Sequence, residues 1–499
     1  MSIRRLVQLV LLLVLAGSLY AYFFWGRPVP FTVQILERLD RNADGSTDTW
    51  PLDISGDGKA DIVEVDSDAD GRVDRLEIGG SESQVLDVAD PSRGQARRKL
   101  AVCLDGVPFE DILNLWDRGY FREFSRPGKL ISAFPSLSDV ALTELLHTER
   151  VPGYENLYFD VQRNQIAGGA TSTVAKVRMP YLDALDYDEP GIFKGLAYVI
   201  PIKTFHADLG RFLKRYAASN LSSYTAHICS TDSVCHVLSR EEFLTYLIEV
   251  DRMLRDVFIR EKGQLDFIVF SDHGNSHVQN RRVNLDTFLA KNGFRVESSI
   301  TDDRSVVIPA FGLVGAMPVY CQPQTTARLA EVLTGQEGVD FTTFLEGKAV
   351  RILSERGTAS ILASDSGKRL KYAPVQGDPL ELQAIVERLA QRQRLDAAGF
   401  ASPDDWFDAA AEHEYADAVN AIYQGVTNHV TNRASLLVSF KDGFHYGRPF
   451  FDWLVTMRST HGNLRRTSMT GFFMRNSPVH RQILPAREIL KDWSSGNQR

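Results

Sequence analysis

KLAVCLDG at residues 99–106 and DFIVFSDHG at residues 266–274 are short apolar runs that each lead into an aspartate. Unbroken apolar runs of this length are typical of parallel strands buried on both faces. In open α/β sheets, binding sites lie beyond the carboxyl ends of such strands. Each stretch therefore predicts a buried strand of a mostly parallel α/β sheet, with Asp105 at the tip of the first strand and Asp272 and His273 at the tip of the second.

Two other stretches add side chains of the same kinds. STDSVCH at 230–236 contains Asp232 and His236, and a spacing of four residues places both on one face of a helical turn. STHGNLRRTSMTGFFM at 459–474 contains His461, in a predicted loop before an apolar, strand-like run. Carboxylate and imidazole groups are common ligands of Zn²⁺. The three aspartates and three histidines are therefore candidate metal ligands.

The order of these motifs resembles the alkaline phosphatase superfamily, and within it the nucleotide pyrophosphatase/phosphodiesterase (type I phosphodiesterase) branch. The resemblance covers roughly residues 97–280 and 459–475. It implies a three-layer α/β/α sandwich and a two-metal hydrolase of phosphodiester or pyrophosphate bonds, acting through a phosphoseryl intermediate. A phosphomonoesterase on the same fold is the alternative activity.

The resemblance also implies the roles of individual residues. One metal ion is bound by Asp105, Asp272 and His273, and the other by Asp232, His236 and His461. Side chains of these types suit Zn²⁺, with Mn²⁺ or Fe as alternatives.

The family's nucleophile follows a Phe-Pro pair at the start of a helix. In KLISAFPSLSDVALTELLH, residues 129–147, that position is Ser138, and Ser136 is the alternative. Asn156, in PGYEN at 152–156, is implied as a contact of the phosphoryl oxygens.

Three copies of an acidic pattern begin at Asp40, Asp53 and Asp66, 13 residues apart. Oxygen-bearing side chains at loop positions 1, 3, 5, 9 and 12, with glycine at position 6, are typical of calcium loops. The segment resembles thrombospondin type 3 repeats and is expected to form a stiff spacer; an acidic, solvated linker is the alternative. The predicted Ca²⁺ ligands are Asp40, Asn42, Asp44, Asp48, Asp53, Ser55, Asp57, Asp61, Glu64, Asp66, Asp68, Asp70, Asp74 and Glu77.

The N-terminus contains Arg4 and Arg5, followed by an almost uninterrupted apolar run over residues 6–25. About 20 apolar residues can span a bilayer as a helix, and the preceding arginines place the short N-terminus in the cytoplasm. Residues 1–28 are therefore predicted to anchor the chain in a membrane, with the catalytic domain periplasmic or extracellular. A cleaved signal peptide and a secreted protein are the alternative.

The predicted organisation is an anchor at 1–28, calcium loops at 36–80 and a catalytic domain at 97–499. An insertion within 280–455 is expected to complete the sheet and cap the site. The net charge of −8 argues against nucleic-acid binding. A small-molecule or lipid phosphoester is the substrate that the resemblance implies. A catalytically inert, calcium-dependent surface protein is the non-enzymatic alternative.

The remaining cysteines and histidines give weaker signals. Cys229 and Cys235 bracket Asp232 and could close a disulfide loop in an oxidising compartment, whereas Cys103 and Cys321 are interpreted as buried thiols. The other histidines are interpreted as surface or core residues, with His277 and His445 as candidate substrate contacts.

Overall fold

A computed structural model of the protein describes residues 17, 33–79, 84–91, 94–169, 179–190, 194, 197–310, 312–447, 456–491 and 493. Elements are numbered in chain order. The strands are β1 (Gln34–Ile35), β2 (Thr49–Asp53), β3 (Ile62–Val65), β4 (Arg75–Ile78), β5 (Gln84–Asp87), β6 (Arg98–Leu104), β7 (Gly128–Ile131), β8 (Leu157–Asp160), β9 (Gln165–Gly168), β10 (Ser223–Ile228), β11 (Leu265–Phe270), β12 (Arg281–Arg282), β13 (Arg295–Val296), β14 (Ser305–Val306), β15 (Ala316–Val319), β16 (Val339–Glu346), β17 (Ala349–Ser354), β18 (Gly357–Ala363), β19 (Leu370–Gly377), β20 (Leu436–Phe440), β21 (Phe444–His445), β22 (Thr470–Arg475) and β23 (Ile483–Pro485).

The helices are α1 (Phe109–Asp117), α2 (Ser138–Leu145), α3 (Pro201–Ala217), α4 (Ser230–Val237), α5 (Arg240–Arg260), α6 (Leu285–Lys291), α7 (Thr326–Thr334), α8 (Gln383–Gln391), α9 (Pro403–Ala410), α10 (Ala418–Thr427), α11 (Arg466–Met469) and α12 (Ala486–Ile489). Short 3₁₀ turns cover Pro180–Ala184 and Pro323–Thr325.

The central sheet has the strand order β10-β6-β11-β22-β7-β23. Strand β6 pairs in parallel with β10 and β11, and β7 pairs in parallel with β23. Strand β22 lies between β11 and β7 and is antiparallel to both. The predicted α/β class and the mostly parallel sheet are therefore confirmed, with one opposed strand inside the sheet.

Alternate residues of the central strands enter two different cores. Leu100 and Val102 of β6 pack with residues of α1, α3 and α5, whereas Ala101 and Cys103 of the same strand pack with residues of α2. Because side chains of a strand alternate between its faces, the sheet is buried on both sides. This burial on both faces explains why the sequences of β6 and β11 are almost continuously apolar.

Residues 316–440 contain a second sheet, with the order β15-β20-β16-β17-β18-β19 and antiparallel pairing throughout. The expectation that the insertion completes the central sheet is therefore wrong for the described residues. Strands β16 to β19 follow one another through short turns, so each pairs with its neighbour in the chain. Phe341 of this sheet lies 5.9 Å from Phe134, measured between ring centroids, and so packs beside the segment before Ser138.

The repeats form a five-stranded antiparallel meander, β1 to β5, and the acidic loops connect its strands. In all three loops the first aspartate accepts a hydrogen bond from the amide of the glycine at position 6. These bonds are Gly45 N to Asp40 Oδ2 (2.8 Å), Gly58 N to Asp53 Oδ2 (2.8 Å) and Gly71 N to Asp66 Oδ2 (2.7 Å). The internal repeat is thus a structural repeat.

Two groups of predicted calcium ligands, at loop positions 12 and 9, form ion pairs or hydrogen bonds with other groups of the protein. Glu64, at loop position 12, lies fully buried on β3 and pairs with Arg255, and Glu77 pairs with Arg41. The carboxylates at position 9 accept backbone amides of their own loops. These bonds run to Asp48 from Arg41 and Asn42, to Asp61 from Ile54 and Ser55, and to Asp74 from Ser67. The assignment of Glu64 to Ca²⁺ is wrong, because the strand that carries it turns the side chain into the protein.

The repeat segment is packed against the predicted catalytic domain. Trp50, Leu52 and Leu76 are buried in the same core as Phe121 and Leu254. The expectation of a separate spacer is therefore wrong: the apolar residues between the acidic loops give the meander one face that buries against α5 and its neighbours.

The predicted anchor at residues 1–28 lies outside the described residues, apart from Gly17. Within the part of the chain that the structure describes, every helix is too short or too polar to cross a membrane.

Candidate active site and metal centre

The six predicted ligands come together at one edge of the central sheet. Asp105 directly follows β6, and Asp272 and His273 follow its parallel neighbour β11, so the strand pairing brings these three residues side by side. Helix α4 begins two residues after β10, the other neighbour of β6, and carries Asp232 and His236. His461 comes from the loop before β22.

The first predicted ligand group is compact and buried. Donor atoms of Asp105, Asp272 and His273 lie within 4.8 Å of one another. His273 Nε2 lies 3.4 Å from Asp105 Oδ1 and 3.5 Å from Asp272 Oδ2. The three side chains therefore converge on one small volume.

The second group adjoins the first. His236 Nε2 lies 3.1 Å from Asp232 Oδ2, and His461 Nε2 lies 3.6 Å from Asp232 Oδ1. His273 also lies within 4.8 Å of donor atoms of Asp232 and His461, and its ring stacks on that of His461 at 3.8 Å. His273 thus lies between the two groups.

The three histidines are oriented by backbone carbonyls. His236 Nδ1 lies 2.7 Å from Ser459 O, His273 Nδ1 lies 2.9 Å from Gly274 O, and His461 Nδ1 lies 2.7 Å from Ser136 O. A carbonyl only accepts, so each Nδ1 carries a proton, and each Nε2 is directed toward the carboxylates.

One carboxylate oxygen in the cluster lacks a hydrogen-bond donor. Asp272 Oδ2 is buried and has no hydrogen-bond donor among the described residues. Buried carboxylate oxygens are normally paired or bound to metal. This orphan oxygen, together with the inward-facing Nε2 atoms, fits a set of ligands for divalent cations.

Burial and the charges of neighbouring groups shift the pKa values of the carboxylates and imidazoles in the cluster. Burial, together with the negative charge of Asp272, raises the pKa of Asp105 to about 6. Burial also disfavours the charged form of Asp232, but the charge and hydrogen bond of His236 and the neighbouring histidines together outweigh it and lower the pKa of Asp232. Burial, aided by His273, holds the pKa of His461 well below its ordinary value, which keeps this imidazole available as a neutral ligand.

Ser138 is the first residue of α2 and faces the first ligand group. Its Oγ lies 3.2 Å from Asp105 Oδ1 and 3.4 Å from His273 Nε2. Ser136 is fully buried, and its Oγ donates to Asn463 O and accepts from Gly462 N, both at 3.0 Å. The geometry therefore favours Ser138 over Ser136 as the nucleophile, because the hydroxyl of Ser136 is held by backbone.

Gly106 allows the two ligand groups to approach each other. Its φ is +67°, and a Cβ at this position would lie 2.4 Å from Asp232 Oδ1 and 3.1 Å from Asn275 Nδ2. A side chain after Asp105 would therefore displace Asp232.

Two side chains at the site were missed by sequence reasoning. His227, interpreted as a surface or core residue, lies with its Nε2 3.2 Å from Asp105 Oδ2 and its Nδ1 2.8 Å from Asp188 Oδ1. Tyr198 donates a 2.9 Å hydrogen bond to Asp232 Oδ2. His227 lies one residue from the end of an apolar strand next to β6, and that position was the available signal.

Other predicted residues lie apart from the cluster or are held elsewhere. Asn156 directly precedes β8, and its carbonyl accepts from Gly169 N at 3.1 Å; its side chain makes no hydrogen bond to the ligands within the described ranges. His277 Nε2 is 2.5 Å from Asp111 Oδ2, and His445 is buried in β21. Cys229 and Cys235 are free thiols, and Cys103 and Cys321 are buried as predicted.

A family model described as type I phosphodiesterase / nucleotide pyrophosphatase matches residues 171–338. This range contains Asp232, His236, Asp272 and His273. The match supports the predicted resemblance to this branch and a phosphoester hydrolase of this type. A comparison with curated proteins found no match.

Solved structures give further, distant similarities. Phosphonoacetate hydrolase from Sinorhizobium meliloti 1021, in complex with phosphonoacetate, is 12% identical, with 82% of this chain and 94% of that chain covered and a TM-score of 0.41. Murine ectonucleotide pyrophosphatase / phosphodiesterase 5 is 11% identical, with 79% and 94% covered and a TM-score of 0.42.

Proposed function

We propose that this chain is a metal-dependent hydrolase of phosphodiester or pyrophosphate bonds that uses Ser138 as its nucleophile. One observation carries the proposal: the Oγ of Ser138 lies 3.2 Å from Asp105 and 3.4 Å from His273, beside two adjoining groups of buried carboxylates and imidazoles. The family match over residues 171–338 supports the same class of reaction.

The ligand set fits two divalent cations, with Asp105, Asp272 and His273 for one. Asp232, His236 and His461 would hold the other, and imidazole with carboxylate favours Zn²⁺. When bound, two such ions lower the pKa of a hydroxyl or water and stabilise charge on the attacking and leaving oxygens.

The chain's own residues position the reaction. Ser138 begins α2, and the amino end of a helix favours a phosphoryl anion. The Ser138 oxygen forms a bond to phosphorus as the bond to the leaving oxygen breaks, and the hydroxyl proton ends on the leaving group, which departs as an alcohol or a phosphate. Water then attacks the phosphorus on Ser138, which releases a phosphate or phosphate ester and restores the hydroxyl.

Metal analysis combined with two substrates tests this proposal. We expect two equivalents of zinc per chain and faster hydrolysis of bis-p-nitrophenyl phosphate than of p-nitrophenyl phosphate. The reverse preference would overturn the diesterase assignment in favour of a phosphomonoesterase. A folded chain that binds no zinc and hydrolyses neither substrate would favour an inert calcium-dependent surface protein.

Calcium binding by the acidic loops is a further part of the proposal. Carboxylate oxygens of Asp66, Asp68 and Asp70 lie within 4.8 Å of one another, and like charges this close favour a bound cation. We expect millimolar Ca²⁺, the range of extracellular calcium modules, to raise the unfolding temperature of the chain. Asp68→Asn should reduce this rise, whereas an equal response in both proteins would contradict binding at this loop.

Membrane attachment through residues 1–28 is also proposed, with the catalytic domain periplasmic or extracellular and a phosphoester of a small molecule or lipid as substrate. The charge and apolar pattern of residues 4–25 supports it. Fractionation of cells expressing the full chain and a chain lacking residues 1–28 tests it. Release of a full-length chain into the soluble fraction, or an N-terminus that begins after residue 18, would overturn the anchor.

A further inference from the structure

Asp105 contacts both the proposed nucleophile and a histidine outside the six predicted ligands. Its Oδ1 lies 3.2 Å from Ser138 Oγ and 3.4 Å from His273 Nε2. Its Oδ2 lies 3.2 Å from His227 Nε2 and 3.4 Å from Ser138 Oγ. Asp105 therefore connects the catalytic cluster to His227.

His227 is held between two carboxylates. Its Nδ1 lies 2.8 Å from Asp188 Oδ1, and its side chain is only 2% exposed. Carboxylate oxygens accept hydrogen bonds, so contacts at both ring nitrogens require both to carry protons. Lys194 Nζ in turn lies 2.8 Å from Asp188 Oδ1. The four side chains form a row of alternating charge that ends at Asp105.

Backbone pairing fixes this row. Strand β10 pairs with β6 so that His227 lies opposite Cys103, two residues before Asp105. His227 N donates to Tyr187 O at 2.9 Å, which places Asp188 beside the imidazole. The neighbours of His227 in β10, Ala226 and Ile228, are buried in the apolar core. The imidazole of His227 lies between two carboxylates and adds little apolar packing to that core. Packing alone therefore does not explain why a histidine occupies this position.

We propose that His227, held by Asp188, is a positioning residue that fixes the orientation of Asp105 and thereby sets the affinity of Asp105, Asp272 and His273 for their metal ion. The inference rests on the proposed function, since it presumes that this group binds a metal. A carboxylate whose second oxygen is held by a fixed donor loses less freedom on binding a cation. Such outer partners of metal ligands typically change affinity by about 10- to 100-fold.

The test is a Zn²⁺ titration of metal-free protein against a chromophoric chelator. We expect His227→Gln, which keeps a donor but loses the second carboxylate contact, to weaken one of the two zinc sites by about 10- to 100-fold. The other site should be unchanged. With Co²⁺ in place of Zn²⁺, the visible spectrum of that one site should change as well, which a general loss of stability would not produce.

His206→Gln is the matched control. His206 is also a buried histidine paired with a carboxylate, Glu249 Oε2 at 2.8 Å, but Glu249 is not one of the proposed metal ligands. We expect both zinc affinities to be unchanged in this variant. If His227→Gln does not fold, Asp188→Asn carries the test, with a smaller loss at the same site.

The outcomes separate this inference from the proposed function. If the unmodified chain binds two zinc ions and hydrolyses the diester, and His227→Gln and Asp188→Asn keep both zinc affinities, the positioning role alone is wrong. If the unmodified chain binds no zinc and is inactive, the proposed function fails and this inference fails with it. Equal weakening of both sites would also overturn the role, because the contact with Asp105 predicts a change at one site.

Discussion

Arg255 Nε lies 3.2 Å from Glu64 Oε2, and this fully buried ion pair joins α5 to the repeat segment across 191 residues of sequence. Glu123 and Asp251 also pair with Arg255, so three carboxylates surround one guanidinium. A buried cluster with two more negative than positive groups is costly unless it binds protons. The packing of the repeat segment should therefore depend on pH.

The first prediction concerns this pH dependence. Burial, only partly offset by Arg255, raises the pKa of both Glu64 and Glu123 above the ordinary value of 4.5. The folded chain then holds protons that the unfolded chain releases above that pH, so the free energy of unfolding falls as pH rises. Glu123→Gln should flatten this fall, as measured by denaturant unfolding at several pH values between 5 and 9. Glu337→Gln, at an exposed ion pair, is the control and should leave the slope unchanged. A slope in Glu123→Gln equal to that of the unmodified chain would contradict the prediction.

The second prediction concerns the guanidinium itself. Arg255→Met leaves Glu64, Glu123 and Asp251 buried without their shared cation, which should lower the free energy of unfolding by about 3–5 kcal/mol. Arg98→Met is the matched control, because the pair of Arg98 with Glu261 is partly exposed and short at 2.6 Å. We expect the control to lose no more than about 1 kcal/mol in chemical denaturation. Similar losses in the free energy of unfolding of both variants would show that the buried cluster stabilises the fold no more than the partly exposed pair does.

The third prediction separates the two serines. Ser138→Ala should reduce hydrolysis of bis-p-nitrophenyl phosphate by more than about 10³-fold while zinc content is retained, because it removes only the attacking oxygen. Ser136→Ala should keep most activity but lose stability, since its hydroxyl bridges Gly462 and Asn463. Steady-state kinetics with zinc analysis checks both. Retained turnover in Ser138→Ala would remove this residue from the proposed mechanism.

The fourth prediction concerns Gly106. Gly106→Ala places a methyl group 2.4 Å from Asp232 Oδ1, so Asp232 must move and the affinity for zinc should fall. Overpacking of this kind also destabilises by about 1–3 kcal/mol. Gly45→Ala has the same kind of backbone, φ +94°, with nothing within 4 Å, and reports the cost of the conformation alone. Equal zinc affinity in the two variants would show that the space beside Asp232 is unimportant.

The strands and the ligand positions could be predicted because their signals are local. An apolar run followed by an acidic residue marks β6 and β11 without any knowledge of their partners. The parallel pairing of two such strands then brings Asp105 and Asp272 together. Asp232 and His236 share a helical turn for the same local reason.

The parts that failed depend on partners distant in sequence. Glu64 occupies the twelfth position of its repeat and is therefore predicted to be a calcium ligand. Its side chain instead points into the protein, where it pairs with Arg255 on α5. The sequence predicts His227 to be a surface or core residue, but its two carboxylate partners, Asp105 and Asp188, are 122 and 39 residues away. The sequence around either residue does not identify these partners, although the position of His227 near the end of β10 was a signal of the site.

The place of β22 has a consequence for the newly made chain. Strand β7, which leads to Ser138, joins the rest of the central sheet only through β22 among the described strands, because it pairs with β22 and β23 and not with β11. Residues 470–475 are made after β6, β7, β10 and β11. Until they insert, Ser138 and the aspartates have no common sheet to align them. A growing chain therefore cannot assemble the proposed catalytic centre on this sheet before residue 475 has been synthesised, however early the other strands form.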